Sequence, residues 1–403
     1  MKEAAACTSL WTGRDGDKMK NKKLIFAVCY ISYTLIYVAR LNLSMSASPL
    51  KNSGVLTSAQ IGLLGSVFFV VYAAGRLING TLSERFSARN MIAAGLLLGA
   101  LANILFGFLP PFAALVMLWG VNAYAQSMLW SSVLKTVGAV YGNTKAQKMS
   151  AYMVTSVATG NIAGIIAAML LIRFFGVSAA FIVPGALLAV SSAAVLIIIG
   201  KPDKPAAKAF SAAAALKEKS VRFMLVPAVF HGVMKDNISL WMAVYVADKF
   251  GMDIEKFAFY LLLIPIAGFV GRFLYPPLYK LSGYNENRVS FIGFLLCAVF
   301  SLLLVFAAVS PIAAVIYLGG IYISVSLINT SVLSVFPMRF YAEGMSCTVS
   351  GLMDFCTYLG AGIGSAVYGS LISAFGYGAM FCSWCVISVI SAAAVAVYKS
   401  QKQ

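Results

Sequence analysis

The stretch Gly80-Thr-Leu-Ser-Glu84-Arg85-Phe-Ser-Ala-Arg89 connects two long apolar segments of the chain. Gly80 has no side chain, so a second backbone can approach it closely at the end of a helix. Glu84, Arg85 and Arg89 bring three charges to the same short connection, where they can lock neighbouring helices at one membrane face. The stretch therefore predicts a tight, charged turn between two packed helices.

The composition of the whole chain is that of a membrane protein. Hydrophobic residues make up 61% of the 403 residues, charged residues make up 11%, and the mean hydropathy is +0.89. A soluble globular chain carries about 25% charged residues, so too little polar surface is available here to coat a water-soluble protein. The apolar runs are long enough for helices rather than barrel strands. We expect an all-α integral membrane protein.

Twelve apolar spans are present, each close to the roughly 20 residues that a helix needs to cross the hydrocarbon. A linker at 200–222, with two prolines and five lysines, separates six spans from six. We therefore expect two six-helix bundles, at 24–199 and 223–398, between tails at 1–23 and 399–403. The approximate limits of the spans are 24–46, 59–82, 91–110, 112–140, 150–173, 177–199, 223–248, 257–278, 289–308, 312–336, 347–374 and 379–398.

The distribution of lysine and arginine predicts the orientation. Connections on one face carry most of these residues, whereas the opposite face receives little beyond Lys51, Arg173, Lys249 and Lys256. Short loops rich in Lys and Arg stay in the cytoplasm, so both termini and the Gly80–Arg89 stretch are predicted to be cytoplasmic. The formal charge of +17 is thereby explained without nucleic acid. The short loops favour a multi-pass protein of a bacterial plasma (inner) membrane.

The two halves align with each other at an offset near 196–200 residues. Ala73-Ala-Gly75-Arg76 matches Phe269-Val-Gly271-Arg272, and the pair Gly160 and Gly164 matches Gly360 and Gly364. Two six-helix halves with weak internal symmetry are the signature of a secondary transporter with a central site. The repeat therefore predicts two pseudo-symmetric bundles around one site.

Charged residues inside the spans indicate what that site binds. Each costs about 2.5–3.5 kcal/mol at a helix centre, yet the spans hold five cations and only two anions, Asp236 and Asp354. An anionic ligand is the simplest way to neutralise this excess. The repeat places Arg40 and Lys235 in equivalent positions, where they could clamp one anion. The alternative is that each cation pairs with a neighbouring carboxylate, as Asp236 would allow for Lys235, or snorkels to the headgroups. The five cations are Arg40, Arg76, Lys135, Lys235 and Arg272.

Other polar residues share a helix face with these cations. Tyr37 precedes Arg40 by one turn, and Tyr72 precedes Arg76 by one turn. His231 lies one turn from Lys235, either as a hydrogen-bonded packing residue or for proton or substrate handling. Asp354 could take a proton in a coupled cycle or pair with a buried cation. With one histidine in the chain, we expect no metal and no cofactor.

The Gly80–Arg89 stretch resembles the signature loop of the major facilitator superfamily, with Glu84 where Asp is usual. Lys280 to Arg288 is a weaker echo in the matching place of the second half. The resemblance implies the major facilitator fold of twelve helices, and it implies a cytoplasmic gate motif formed by Gly80, Glu84, Arg85 and Arg89.

Within that superfamily, several segments are similar to the organophosphate:phosphate antiporter family, which includes glycerol-3-phosphate and hexose-phosphate transporters. Tyr37-Val-Ala-Arg40-Leu-Asn42 is similar to the family's Tyr-x-x-Arg-x-Asn. Gln126-Ser-Met-Leu-Trp130 resembles its Gln-Gly-x-Gly-Trp, and Tyr72 and Tyr322 also match. Lys235 stands where the glycerol-3-phosphate transporter has a second substrate-binding arginine, and Ser156 stands where the family has a histidine.

The resemblance implies exchange of an organic phosphate for inorganic phosphate by alternating access. Arg40 and Lys235 would then bind the phosphate, and the residues around them would be Tyr37, Tyr72, Arg76, Gln126, Trp130, His231 and Tyr322. Two alternatives stay open: a proton-coupled carboxylate or drug transporter that uses Asp354, and a membrane sensor of organic phosphate. An enzyme is not expected, because the sequence has no cluster of metal ligands and no nucleophile–base pair. A monomer suffices to form the site.

Overall fold

The structure, a computed structural model, describes residues 15–200, 212–251 and 263–397. Within these ranges the chain is helical and contains no strand, so the expected all-α class is confirmed. Lys256 and the predicted ends of both tails lie outside the described residues. The same is true of residues 201–211 of the predicted linker.

The described residues form seven helices in the first half of the chain and six in the second half. The first seven are α1 (Asp15–Asn52), α2 (Ser58–Arg85), α3 (Ala88–Gly107), α4 (Phe112–Ser127), α5 (Leu129–Met153), α6 (Thr155–Phe175) and α7 (Ala179–Ile198). The others are α8 (Ala212–Ala215), α9 (Lys219–Phe250), α10 (Leu263–Leu281), α11 (Glu286–Phe306), α12 (Pro311–Thr330) and α13 (Ser346–Val397). Between α12 and α13 the backbone forms a π turn at Ser331–Val335 and a 3-10 turn at Phe336–Phe340.

Local signals set where several helices begin and bend. Thr57 and Gln60 form a capping box at the start of α2, in which each side chain accepts a hydrogen bond from the other residue's backbone N–H. The Ser87 side chain caps α3 by accepting a hydrogen bond from the Asn90 N–H. Gly142 and Gly376 have φ of 71° and 74° and interrupt α5 and α13. Only glycine adopts such angles readily, so each marks the boundary between two predicted spans.

Nine helical stretches of the described ranges are long and apolar enough to cross a membrane. They correspond to the first six predicted spans and to the ninth, tenth and twelfth. The other three predicted spans fall on α9, α10 and the first part of α13, all of which are helical. The nine stretches are Lys22–Asn52, Leu63–Arg85, Ala88–Gly107, Phe112–Gly142, Lys145–Phe175, Ala179–Ile198, Glu286–Phe306, Pro311–Phe340 and Leu371–Ala396.

The chain divides into two compact units. Unit 1 comprises the described residues up to Ala212 together with Met338–Gly351, and unit 2 comprises Ala213–Pro337 and the described residues from Leu352 onward. Met338–Gly351 therefore belongs to the first unit although it lies in the second half of the sequence. Met338 is part of the apolar core of unit 1, and Tyr341 packs against that core.

Equivalent glycines make equivalent helix contacts in the two units. A Cβ atom at Gly75 on α2 would lie 2.9 Å from the Cβ of Ser127, and one at Gly271 on α10 would lie 2.8 Å from the Cβ of Ser326. Equivalent close contacts join α6 to α1 in unit 1 and α13 to α9 in unit 2. A Cβ at Gly160 would lie 2.6 Å from that of Tyr37. The internal repeat thus corresponds to the same close helix packing in each unit, as expected where small residues let membrane helices approach.

We expect Gly360→Ala to lower the thermal unfolding midpoint of the purified protein. A Cβ at Gly360 would overlap the backbone carbonyl of Val229 on α9, and overpacking of this kind costs about 1–3 kcal/mol. Gly362→Ala is the matched control on the same helix, because a Cβ there meets nothing within 4 Å. Equal midpoints for the two variants in detergent would contradict the proposed backbone contact.

Candidate anion-binding site

Arg40 of unit 1 is surrounded by aromatic rings. Its guanidinium carbon lies 4.7 Å from the ring centre of Phe68, 4.8 Å from that of Tyr72 and 5.6 Å from that of Tyr37. Phe68 and Tyr72, one turn apart on α2, are stacked at 5.8 Å with an angle of 11° between their planes. Cation–π contacts use the charge and the flat faces of the guanidinium, whereas its N–H donors lie in its plane. Three rings thus stabilise the charge of Arg40 within α1, and a guanidinium is the group that binds phosphate or carboxylate through parallel hydrogen bonds.

The aromatic series continues from Tyr37 towards Trp130. Tyr33 lies 5.7 Å from Tyr37 and 4.7 Å from the ring of Trp130, centre to centre. Tyr33 and Phe68 are contacts that the sequence analysis did not identify. Each lies four residues before a predicted site tyrosine, so the spacing that joins residues on one helix face could have indicated them.

Gln126 belongs to a chain of buried amides in unit 1. Asn42 donates to Asn103 at 2.7 Å, Asn103 donates to Asn122 at 3.1 Å, and Gln126 donates to the same Asn122 oxygen at 3.1 Å. All four side chains are at most 1% exposed. The chain links α1, α3 and α4 and fixes the position of Gln126; a substrate contact of Gln126 stays a prediction.

Arg76 is fully buried among serines of unit 1. Its Nη1 donates to the Ser127 carbonyl at 3.3 Å and to Ser131 Oγ at 3.4 Å, and its Nη2 donates to Ser350 Oγ at 3.4 Å. These bonds are long and their acceptors are neutral, so they solvate the guanidinium without cancelling its charge. A substrate contact of Arg76 also stays a prediction.

The Gly80–Arg89 stretch contacts backbone groups at helix ends. Glu84, which is 3% exposed, accepts hydrogen bonds from the N–H groups of Cys347 at 2.7 Å and Thr348 at 3.4 Å, in the first turn of α13. A carboxylate is favoured at this end of a helix. At Gly80, a Cβ would lie 2.9 Å from the Cα of Gly351. The glycine and the glutamate therefore both join α2 to the Met338–Gly351 segment within unit 1.

The basic residues near this stretch have different surroundings. The Lys135 ammonium donates to the carbonyls of Glu84 and Phe86, both at 3.2 Å, and to that of Ser83, at the carboxyl end of α2. A cation at this end of a helix complements its dipole. Arg89 donates to the Leu196 carbonyl of α7, whereas Arg85 is exposed.

Lys235 of unit 2 lies near both a carboxylate and a ring. Its ammonium is 3.9 Å from Asp236 Oδ1 and 5.2 Å from the ring centre of Tyr358. The two charged side chains are 24% and 36% exposed. The ion-pair alternative for Lys235 is thus observed, but at the outer limit of ion-pair distance. Asp354, 8% exposed, precedes Tyr358 by one turn of α13 and shares its face.

His231 is fully buried one turn before Lys235. Neither of its ring nitrogens has a hydrogen-bond partner of normal geometry among the described residues, although the backbone of Val325 faces the ring. Lys235 and Arg272 both act on the imidazole electrostatically. The ring of Tyr322 fills the space above Gly268, and Nη1 of Arg272 borders the same space. Unit 2 therefore holds a second polar cluster with cationic members.

We expect Glu84→Ala to expose Cys347, which is fully buried, because the first turn of α13 loses its cap. Loss of a helix cap costs about 1 kcal/mol, which raises the population of molecules with the segment opened about fivefold. The measurement is the rate of maleimide labelling in a variant that keeps Cys347 as its single cysteine. Arg85→Ala is the control, since that side chain is exposed. An unchanged rate in Glu84→Ala would show that Glu84 does not hold the segment.

Residues 24–364 match the Major Facilitator Superfamily. The chain is similar to the membrane sensor protein UhpC of Salmonella typhimurium, with 31% identity over 124 residues that cover 31% of this chain and 28% of that protein. It is also similar to the phosphoglycerate transporter protein of the same species, with 27% identity over 179 residues that cover 43% of this chain and 38% of that protein. The chain thus aligns with less than half the length of each of these relatives.

Among solved structures, the chain resembles the E. coli fucose:proton symporter FucP. The TM-score is 0.74 at 19% sequence identity, and the superposition covers 94% of this chain and 98% of that one. At this identity the likeness concerns the fold alone.

Proposed function

Because the chain belongs to the Major Facilitator Superfamily, we propose that it is a secondary active transporter that exchanges an organic phosphate for inorganic phosphate by alternating access. Arg40 and Lys235 bind the phosphate group, with Tyr37, Tyr72 and Trp130 around it. The site needs no cofactor and forms in a monomer. We further propose a bacterial plasma membrane as its location, with both termini in the cytoplasm.

The observation that carries this proposal is the aromatic surround of Arg40. Three rings hold one guanidinium within a transmembrane helix. A planar guanidinium forms two parallel hydrogen bonds with phosphate or carboxylate, which a lysine does not. The relative named as a phosphoglycerate transporter supports phosphate as the anionic group.

Lys235 supplies the second cation of the proposed site. Its ammonium lies 3.9 Å from Asp236 Oδ1, and an ion pair at that distance between partly exposed groups is weak. A dianionic phosphate would bind the ammonium more strongly than one distant carboxylate does. Binding would also screen the repulsion between the two cations, and this screening is the proposed link between occupancy and closure of the site.

We expect Arg40→Lys to reduce phosphate exchange at least about tenfold, since one hydrogen bond to a charged group is worth about 1.5–3 kcal/mol. The assay is uptake of radiolabelled phosphate into phosphate-loaded proteoliposomes, followed by competition with phosphate esters and carboxylates. Arg173→Lys is the matched control, because Arg173 is exposed at the end of α6. If Arg40→Lys exchanged phosphate at the wild-type rate, Arg40 would not be the phosphate ligand.

We expect Phe68→Leu to raise the KM for phosphate about threefold to thirtyfold with a smaller effect on kcat, since a cation–π contact is worth about 0.5–2 kcal/mol. Leucine keeps an apolar side chain at this position and removes the ring. Phe69→Leu is the matched control, because the neighbouring ring is 51% exposed. Equal KM values in both variants would argue against an electronic role for the ring of Phe68.

Assays on the same proteoliposomes distinguish two other functions from the proposed one. The relative named as a membrane sensor protein favours a receptor for organic phosphate, which would bind the ester without exchanging it. The buried position of Asp354 favours proton-coupled uptake of a carboxylate. In the latter case Asp354→Asn would abolish accumulation driven by a pH gradient, whereas phosphate exchange would persist in that variant if the proposed antiport is correct.

A further inference from the structure

Unit 2 contains a cavity at the carboxyl end of α9, beyond His231 and Lys235 on the same helix. It has a volume of about 310 Å³, within the size range of pockets for small ligands. Tyr245, Asp248 and Lys249 from the last turns of α9 line it, together with Leu304 and Val305 of α11 and Tyr377, which follows the break in α13. The charge distribution of the sequence predicts that these helix ends face away from the cytoplasm.

The cavity lining carries a carboxylate, Asp248, and an ammonium, Lys249, that form no ion pair with each other. Asp248 Oδ2 accepts a hydrogen bond from the Tyr377 hydroxyl at 2.6 Å. The Lys249 ammonium donates to Tyr245 Oη at 3.2 Å and lies over the rings of Tyr245 and Phe250. Among the described residues neither charge takes part in an ion pair. A ligand that carries one positive and one negative group would satisfy both.

The lining from α11 is aliphatic, and the same helix carries exposed apolar side chains. Leu304 and Val305 belong to the last turn of α11. On the same helix Val299 is 52% exposed, Leu302 41% and Phe306 79%. In a helix of this apolar composition, such exposure is the expected contact with lipid chains. A lipid whose headgroup lay in the cavity would therefore find its acyl chains against α11.

We propose that this cavity binds a zwitterionic phosphoammonium group, with its phosphate at Lys249 and its primary ammonium at Asp248. The ammonium donates N–H bonds to the carboxylate, and the rings of Tyr245 and Tyr377 lie beside it. An ethanolamine phospholipid and free phosphoethanolamine share this chemistry. The inference does not depend on which anion the protein transports.

The test measures retention of phospholipids by the purified full-length protein in native mass spectrometry. The series runs from phosphatidylethanolamine through its monomethyl and dimethyl forms to phosphatidylcholine, with phosphatidylglycerol as the anionic comparison. Each methyl group removes one N–H donor, so we expect retention to fall along the series, by about tenfold in total if one charge-assisted hydrogen bond is lost. Phosphatidylglycerol lacks the ammonium and is expected at the low end.

Three variants test whether the dependence of retention on methylation arises in the cavity. Asp248→Asn should abolish the dependence on methylation, and Lys249→Gln should weaken retention of every phospholipid. Lys280→Gln, an exposed lysine at the end of α10, is the matched control and should behave as wild type. Competition by free phosphoethanolamine would identify the soluble zwitterion as a ligand, and its failure would identify the lipid. Equal retention of all phospholipids by the wild type, or an unchanged methylation dependence in Asp248→Asn, would overturn the proposal.

Discussion

A charged side chain in the hydrocarbon region must be compensated, and the structure of this protein depends on how that is done. A charge at a helix centre costs about 2.5–3.5 kcal/mol on insertion scales, and the spans provide two carboxylates for five cations. Ion pairs within the protein therefore cannot neutralise all of the cations. Rings contribute to compensating Arg40, serine oxygens contribute at Arg76, and the carbonyl end of α2 does so at Lys135.

These forms of compensation have different consequences for binding. The carbonyls at a helix end are fixed, so Lys135 is held in place and stabilises the Gly80–Arg89 connection. Ring faces leave the hydrogen-bonding plane of a guanidinium to other partners. The rings around Arg40 therefore stabilise its charge in the apoprotein, and the proposed anion would add hydrogen bonds to the guanidinium. The same physical constraint thus separates a structural cation from one suited to a ligand.

Much of the fold was predictable because it depends on properties that are local in sequence. The length of the apolar runs, the linker and the repeated glycines indicate a membrane protein of two related halves, and the superfamily match confirms the fold class. The spacing of Tyr37 and Arg40 places them on one helix face, and the structure brings Tyr37 to the guanidinium. The repeat is confirmed at Gly75 and Gly271, because a Cβ at each would lie 2.9 Å and 2.8 Å from the Cβ of a serine.

What the sequence did not predict depends on which helices become neighbours. Phe68 looks like any apolar residue of a span until α2 packs against α1 and brings its ring over Arg40. The Met338–Gly351 segment belongs to unit 1 because Glu84 binds the N–H groups of its helix start and Gly80 lets the backbones meet, contacts more than 260 residues apart in the chain. Gln126 shows the same limit, since the chain of amides to which it belongs draws on three helices. A motif identifies the residue type that a site requires, whereas tertiary packing decides whether that residue faces a ligand or another side chain. For Arg40 the motif supplies a guanidinium and the packing surrounds its charge with three rings, which is the arrangement on which the proposed anion site rests.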